Sequence, residues 1–176
     1  MEGAPGWLKD LIRDIPDFPQ PGVAFKDITP LLSSGAALSW CVEALADAFA
    51  EQPVDKVIGV EARGFILAAP VAVRVGAGFV PVRKAGKLPW RVTTETYDLE
   101  YGVDSLEIHR DALEPGERVL IIDDVLATGG TAAATARLAR GLGAEVAGFG
   151  CVIELAVLGG RGKLDALDTV SLLSYE

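Results

Sequence analysis

A chain of 176 residues, half of them hydrophobic, is long enough to bury the core of one domain without disulfides or metal ions. Its net charge of −9 argues against a nucleic-acid or anionic-membrane partner, and an anionic ligand would need a local cationic pocket. No apolar run is long enough to span a bilayer, and no basic segment followed by an apolar stretch opens the chain. Cys41 and Cys151 lie in apolar segments without metal-binding spacing, so we expect free thiols and a cytoplasmic protein.

In chain order, apolar residues at helical spacing predict a short helix over residues 6–15. Prolines then exclude regular structure to about Lys26, and a second helix is predicted from Ser34, its N-cap, to Ala50. Strands are predicted at residues 57–60, 79–82, 105–109, 119–122, 146–153 and 170–173, with helices at 64–75 and 131–142. Residues 84–104 are polar with little core, which predicts an excursion at the surface. The alternation of strands and helices predicts an α/β fold with a central, mostly parallel sheet flanked by helices.

The segment VLIIDDVLATGGT, residues 119–131, carries the clearest chemical signal. Gly129 and Gly130 allow a tight turn and a close approach of the backbone to a ligand. Free N–H groups at the start of the following helix can hold a phosphate, and the hydroxyls of Thr128 and Thr131 can add donors. The chain has no GKS, GKT or GxGxxG, which excludes a P-loop hydrolase and a dinucleotide-binding fingerprint. The segment therefore predicts a phosphate-binding loop.

Two adjacent carboxylates, Asp123 and Asp124, stand just upstream of this loop. Carboxylates are poor ligands for phosphate, but they accept hydrogen bonds from vicinal hydroxyls. A sugar with a phosphate at one end and a diol at the other fits this polarity. The alternative is a plain glycine turn beside a solvated acidic pair, which the spacing of the aspartates after four aliphatic residues disfavours.

This segment resembles the signature of the type I phosphoribosyltransferases, which bind 5-phosphoribosyl 1-pyrophosphate (PRPP). The segments FPQPGVAFKDITPLL, EARGFILAAPVA, FVPVRKAGKLP, TETYDLEYG and LEIHRDAL are similar, in the same order, to the adenine phosphoribosyltransferases. The resemblance implies a single domain of the type I phosphoribosyltransferase fold, with an N-terminal hood over about residues 1–33 and a flexible catalytic lid over about 84–104. It also implies transfer of the phosphoribosyl group to adenine, giving AMP and pyrophosphate.

By this resemblance, the loop from Ala127 to Thr131 cradles the 5′-phosphate, and the two aspartates hold the ribose hydroxyls. Magnesium is implied because the charge of the pyrophosphate exceeds what three basic side chains neutralise. It is expected to bind mainly through oxygens of PRPP and water, with no protein residue as its ligand. A homodimer is also implied by the family.

Two further segments are expected to hold the pyrophosphate. By resemblance, the pyrophosphate loop is formed by Glu61, Ala62 and Arg63, and the Glu61–Ala62 peptide bond is expected to be cis. Basic residues at the end of the strand at 79–82 look like a second part of this clamp: Arg83, Lys84 and Lys87. The alternatives are a plain strand exit and a solvated basic run.

The resemblance places the adenine site in the hood. It implies that Phe25 stacks on the base, that Ala24 reads the base edge through its backbone N–H and C=O, and that Leu155 covers the opposite face. Lys26 belongs to the same group, at a position where arginine is common in the family. A backbone donor and acceptor suit adenine, whereas hypoxanthine reverses both partners.

The lid carries the expected catalytic residue. By resemblance, Glu100 is the acid/base partner of the purine imidazole edge and Tyr101 packs over the ligands, while lid closure excludes water. Without the family match, an acidic surface hairpin would be the better interpretation. The lone His109 has no partner for a metal site. Two other functions stay open: a phosphoribosyltransferase for 6-oxopurines, and a regulator that uses the same loop to sense an effector.

Overall fold

A seven-stranded sheet forms the centre of the computed structural model, which describes residues 4–98, 103–164 and 167–176. In chain order the strands are β1 (Arg13–Ile15), β2 (Phe25–Asp27), β3 (Lys56–Val60), β4 (Gly78–Lys84), β5 (Val92–Asp98), β6 (Val103–His109), β7 (Arg118–Leu126), β8 (Glu145–Leu155) and β9 (Thr169–Tyr175). The helices are α1 (Thr29–Ser33), α2 (Gly35–Ala48), α3 (Arg63–Val75) and α4 (Gly130–Gly141), with short 3₁₀ helices at Gly6–Leu11, Ala156–Leu158 and Gly160–Lys163.

The sheet has the strand order β5-β6-β4-β3-β7-β8-β9. Strands β4, β3, β7, β8 and β9 run parallel to one another, and β6 runs antiparallel to both β4 and β5. One apolar core lies between the sheet and α4, and a second lies between its other face and α1, α2 and α3. The predicted α/β architecture, a mostly parallel sheet flanked by helices, is therefore confirmed.

The predicted helix over residues 6–15 is wrong in its second half. A 3₁₀ helix ends at Leu11, and Arg13–Ile15 pairs antiparallel with β2, with Ile15 opposite Phe25. Pro16 follows directly, and a residue before proline is pushed out of the helical region into extended backbone. The strand pair β1–β2 forms the body of the hood.

The expectation of a coreless excursion over residues 84–104 is also wrong in part. Lys84 ends β4, and β5 pairs along its whole length with β6. Tyr97 is only 7% exposed and belongs to the core beneath α4. The alternating strand β6 needs a neighbour on its outer edge, and β5 supplies it. Residues 99–102, which include Glu100 and Tyr101, lie outside the described residues, so the lid assignment stays a prediction.

Strand β7 is longer than predicted, because its parallel pairing with β8 continues to Leu126, opposite Glu154. Asp123 and Asp124 consequently lie inside the strand and are both 7% exposed. Among the helices of the described residues, none has both the length and the apolar composition that crossing a bilayer requires.

Candidate active site

The carboxyl ends of the parallel strands meet at one edge of the sheet, where such folds bind ligands. The residues that follow β3 and β4, the last residues of β7 with the loop after it, and the end of β8 all lie at this edge. The hood reaches the same edge through Phe25, whose ring lies 5.1 Å from the guanidinium carbon of Arg63. The fold therefore brings the predicted donor-binding segments and the hood together.

The predicted phosphate loop joins β7 to α4. Gly129 has φ of +76° and precedes the helix, a backbone conformation that residues with a Cβ rarely adopt. The first helical hydrogen bond runs from the Ala133 N–H to the Gly129 carbonyl, at 2.9 Å, and a helix leaves its first N–H groups without partners inside the helix. The loop from Ala127 to Thr131 lines a hollow of about 70 Å³. Its positive helix end suits a phosphate.

A second glycine segment backs this loop. A Cβ placed on Gly129 would lie 2.3 Å from the carbonyl oxygen of Gly160, and one placed on Gly160 would lie 2.1 Å from the carbonyl oxygen of Ala127. Both glycines are buried. The phosphate loop and the turn at Gly160 are thus in backbone contact, with no room for a methyl group on either side.

The two aspartates of β7 lie close to the start of α3. The Asp124 N–H donates to the Asp123 carboxylate over 2.8 Å, and the Arg63 guanidinium donates to the Asp124 carboxylate. A Cβ on Gly64 would lie 2.8 Å from an Asp123 carboxylate oxygen, so only glycine allows this approach of helix and strand. Burial and, after it, the charge of Asp124 raise the pKa of Asp123 well above its usual range. Asp124, and not Asp123, is the member of the pair that contacts the Arg63 guanidinium.

The predicted pyrophosphate segments meet around a buried carboxylate. The Glu61–Ala62 peptide bond is cis, as expected. Glu61 accepts a hydrogen bond from Arg83 over 2.8 Å and one from the Lys87 ammonium over 2.6 Å. Burial acts to raise the pKa of Glu61, but the hydrogen bonds from Lys87 and Arg83 outweigh it and hold the pKa below its ordinary value. Glu61 is thus an anion that fixes two cations beside the start of α3.

Lys84 occupies a different place from the other two basic residues. Its ammonium lies 2.9 Å from the Asp104 carboxylate on β6, a contact that raises the pKa of Lys84 and lowers that of Asp104. Arg83, Lys84 and Lys87 were expected to form one pyrophosphate clamp. The structure joins only Arg83 and Lys87 to Glu61.

The hood holds its own residues through aromatic contacts. The Phe25 ring packs edge-on against Phe18, with ring centroids 5.1 Å apart. Lys26 pairs with Asp14 and lies 4.1 Å above the ring of Tyr175, the last residue of β9. Since neighbours along a strand point to opposite faces, Lys26 faces away from the Phe25 side and fastens the hood to the sheet.

The other two residues expected to contact the base, Ala24 and Leu155, lie next to the end of a strand or at it. Ala24 is exposed next to β2, and Leu155 ends β8 opposite Tyr175. These positions put both residues where the hood meets the sheet. Their roles toward adenine, like that of Lys26, stay predictions.

Sequence reasoning missed several residues that support this edge. Tyr97 reaches the phosphate loop, with its hydroxyl 3.3 Å from that of Thr131. Glu154, 8% exposed, forms a two-point ion pair with Arg161 and accepts from Ser171. The glycines at 159, 160 and 162 indicate a turn in the sequence. The contact of Gly160 with the loop at residues 127–129 depends on the tertiary fold.

Comparison with known proteins agrees with this geometry. Residues 30–173 match the family model of the phosphoribosyl transferase domain. The chain is 55% identical over 168 residues to the adenine phosphoribosyltransferase of Roseiflexus castenholzii. The aligned region covers 96% of this chain and 98% of the relative. The crystal structure of adenine phosphoribosyltransferase from Thermoanaerobacter pseudethanolicus superposes with a TM-score of 0.94 at 50% identity, covering 96% and 98% of the two chains.

A third similar protein is a ligand complex. The crystal structure of adenine phosphoribosyltransferase from Saccharomyces cerevisiae, complexed with an imino-altritol bisphosphate and adenine, has a TM-score of 0.89 at 40% identity. The match covers 95% of this chain and 97% of the yeast protein.

Proposed function

The chain belongs to the adenine phosphoribosyltransferases, which transfer a phosphoribosyl group from PRPP to adenine, and we propose that its site divides this reaction into a donor half and a base half. The observation that carries the division is the buried Asp123–Asp124 pair one short segment before an α-helix N-terminus with a phosphate-sized hollow. In the donor half, residues 127–131 hold the 5′-phosphate and the two aspartates accept from the ribose hydroxyls. In the base half, Phe25, Ala24 and Leu155 enclose adenine.

The transfer breaks the bond between ribose C1 and the pyrophosphate oxygen and forms a bond between C1 and adenine N9. The electron pair of the broken bond leaves with pyrophosphate, and the proton on N9 must be accepted by a base. We assign that base to Glu100 by its position in the family segment TETYDLEYG. A transition state with positive charge on the ribose is stabilised by a nearby carboxylate, which is a second use for Asp124.

The pyrophosphate side of the donor half carries less positive charge than the sequence analysis implied. Glu61 offsets one of the two charges of Arg83 and Lys87, and Asp104 offsets that of Lys84. The group around Glu61 therefore holds a net charge of about +1, which orients a pyrophosphate without neutralising it. Arg63 of the pyrophosphate loop pairs with Asp124, so its charge is offset as well.

This shortfall of positive charge supports our proposal that magnesium enters with PRPP. Within residues 4–98, 103–164 and 167–176, no three His, Cys, Asp or Glu side chains are arranged to hold a metal ion. A hard cation bound by pyrophosphate oxygens and water would neutralise the leaving group. Arg83 and Lys87 would then orient the same pyrophosphate from the protein side.

We propose in addition that the enzyme is a homodimer. Ile66 and Val73, two turns apart on one face of α3, are 45% and 82% exposed, and Phe79 on β4 is 38% exposed. Phe79 packs edge-on against Phe65 of the same helix at 5.7 Å, which joins helix and strand into one apolar surface. Such a surface supports burial against a second copy. The cytoplasm remains our proposal for its location, supported by the free, buried thiols of Cys41 and Cys151.

Kinetic separation of the two halves tests this assignment. Thr128→Val removes a donor from the phosphate loop, so the KM for PRPP should rise by about tenfold or more, the worth of a hydrogen bond to a charged group. Phe25→Ala removes a stacking surface, so the KM for adenine should rise by about two- to tenfold, with that for PRPP little changed. Ser39→Ala, which removes a hydroxyl at an exposed position on α2, is the control. Equal effects of both variants on both substrates would contradict the division.

A further inference from the structure

Behind the phosphate loop lies an ion-pair cluster that none of the binding assignments uses. We propose that this cluster, formed by Glu154, Arg161 and Ser171 and named here the β8 clamp, positions the phosphate loop through Gly160. The inference deepens the proposed function, since it rests on residues 127–131 holding the 5′-phosphate. Its members touch no substrate, so they are positioning residues.

The β8 clamp is a fully connected network. Arg161 donates from Nε to one Glu154 oxygen over 3.0 Å and from Nη2 to the other over 2.5 Å, a two-point contact that fixes the guanidinium plane. Ser171 donates to Glu154 over 2.7 Å, and Arg161 Nη1 donates to the Thr169 carbonyl over 2.7 Å. The arginine is thereby tied to both β8 and β9. The bond from Arg161, together with that from Ser171, holds the pKa of Glu154 below its ordinary value against burial.

The clamp acts on the loop through the backbone of Gly160. Gly160 directly precedes Arg161, and a Cβ on it would lie 2.1 Å from the Ala127 carbonyl oxygen and 2.8 Å from the Gly129 nitrogen. On the other side, Glu154 lies opposite Leu126 in the β7–β8 register, one residue before the loop. The loop is therefore held between the end of its own strand and a turn that Arg161 fixes to the neighbouring strand.

This arrangement sets the direction of the loop N–H groups before a phosphate arrives. Backbone donors that are already oriented bind an anion without an ordering cost, whereas a loose loop must be ordered by the ligand. Loss of the clamp should therefore weaken binding of every ligand that carries the 5′-phosphate. Adenine, which the hood holds, should bind as before.

A second ion pair of this sheet provides the matched control. Arg118 pairs with Glu145 at the opposite end of β8, over 3.4 Å, and also donates to the Pro53 carbonyl. The Arg118 side chain is 36% exposed and that of Arg161 is 49% exposed, so both lie near the surface. Arg118 joins β7 to β8, and Arg161 joins β8 to β9. Only Arg161 lies at the carboxyl edge. A merely structural role of Arg161 would lower Tm without a selective loss of affinity for ligands that carry the phosphate.

The experiment compares Arg161→Met with Arg118→Met. We expect about a tenfold rise in the dissociation constants of PRPP and ribose 5-phosphate for R161M alone, measured by titration calorimetry, with an unchanged KM for adenine. R161M should also lose more Tm than R118M, because it leaves the buried Glu154 without its arginine, whereas Glu145 is exposed. Arg161→Lys, which keeps charge but not the two-point contact, should restore part of the affinity. If R161M fails to fold, Glu154→Gln and Ser171→Ala carry the same test.

The outcomes separate this inference from the function on which it rests. Equal PRPP affinities in R161M and R118M would overturn the positioning role, with the phosphate assignment intact. A rise in the KM for adenine as large as the loss of PRPP affinity would also overturn it. Failure of the wild type to bind both PRPP and ribose 5-phosphate would instead refute the assignment of the loop.

Discussion

Replacing Asp124 by asparagine removes the charge that contacts the Arg63 guanidinium and leaves the shape of the side chain nearly unchanged. In the proposed complex the carboxylate also accepts from a ribose hydroxyl. Hydrogen bonds to charged groups contribute about 1.5–3 kcal/mol, and about 1.4 kcal/mol corresponds to a factor of ten. The dissociation constant of PRPP should therefore rise by about 10- to 150-fold in Asp124→Asn.

The same change at Asp123 should have a smaller effect. Burial and, after it, the charge of Asp124 raise the pKa of Asp123, whereas Asp124 carries the contact with the Arg63 guanidinium. Asparagine resembles a protonated carboxyl in shape and in having a donor, and its oxygen can still accept from the Asp124 N–H at 2.8 Å. D123N therefore keeps both the bond from the Asp124 N–H and the Arg63–Asp124 ion pair, whereas D124N loses the ion pair.

The assay is the equilibrium affinity for PRPP by titration calorimetry, at one neutral pH and one salt concentration, because the ligand is highly charged. Asp55→Asn is the control, since Asp55 accepts a backbone N–H over 2.8 Å at the opposite edge of the sheet. D55N should leave PRPP affinity unchanged. A loss of affinity in D123N equal to or greater than that in D124N would refute our account of the pair.

Three other predictions concern single side chains. Lys87→Met should raise the KM for PRPP several-fold more than Lys84→Met, because Lys84 is committed to Asp104; equal effects would restore the three-cation clamp. Glu154 has a folded pKa below its ordinary 4.5, so it stabilises the fold above that pH and ceases to do so as pH falls through the folded value. Chemical unfolding should therefore show a smaller loss of stability below pH 4.5 in Glu154→Gln than in the wild type, and identical losses would contradict this role. Glu100→Gln should lower kcat more than it weakens PRPP binding, and an unchanged kcat would remove Glu100 from the mechanism.

The parts of the site that follow from local chemistry could be predicted from the sequence. The glycine turn at Gly129 and the helix start at Gly130 lie where the sequence pattern placed them, whereas their role toward a phosphate stays a prediction. The centres of the core strands were predicted for a similar reason, because a short apolar run between two helices is typical of a strand buried on both faces of a sheet.

The parts that depend on tertiary partners were missed. Strand β5 is polar because it lies at the edge of the sheet, and only its pairing with β6 and the burial of Tyr97 make it a strand. The separation of Lys84 from Lys87 depends on Asp104, which lies on a different strand. Partners that are distant in the chain leave no periodic pattern in one sequence.

The choice of acceptor base is the sharpest test of the assigned donor and base halves of the site. Purified protein with PRPP and magnesium should convert adenine to AMP while releasing pyrophosphate, and should barely use hypoxanthine or guanine at the same concentration. The backbone donor and acceptor that we assign to Ala24 would suit adenine and be mismatched to both 6-oxopurines, and such a mismatch costs orders of magnitude. Comparable rates with all three bases would contradict the base half of the site, and no pyrophosphate release with any base would contradict the transfer itself.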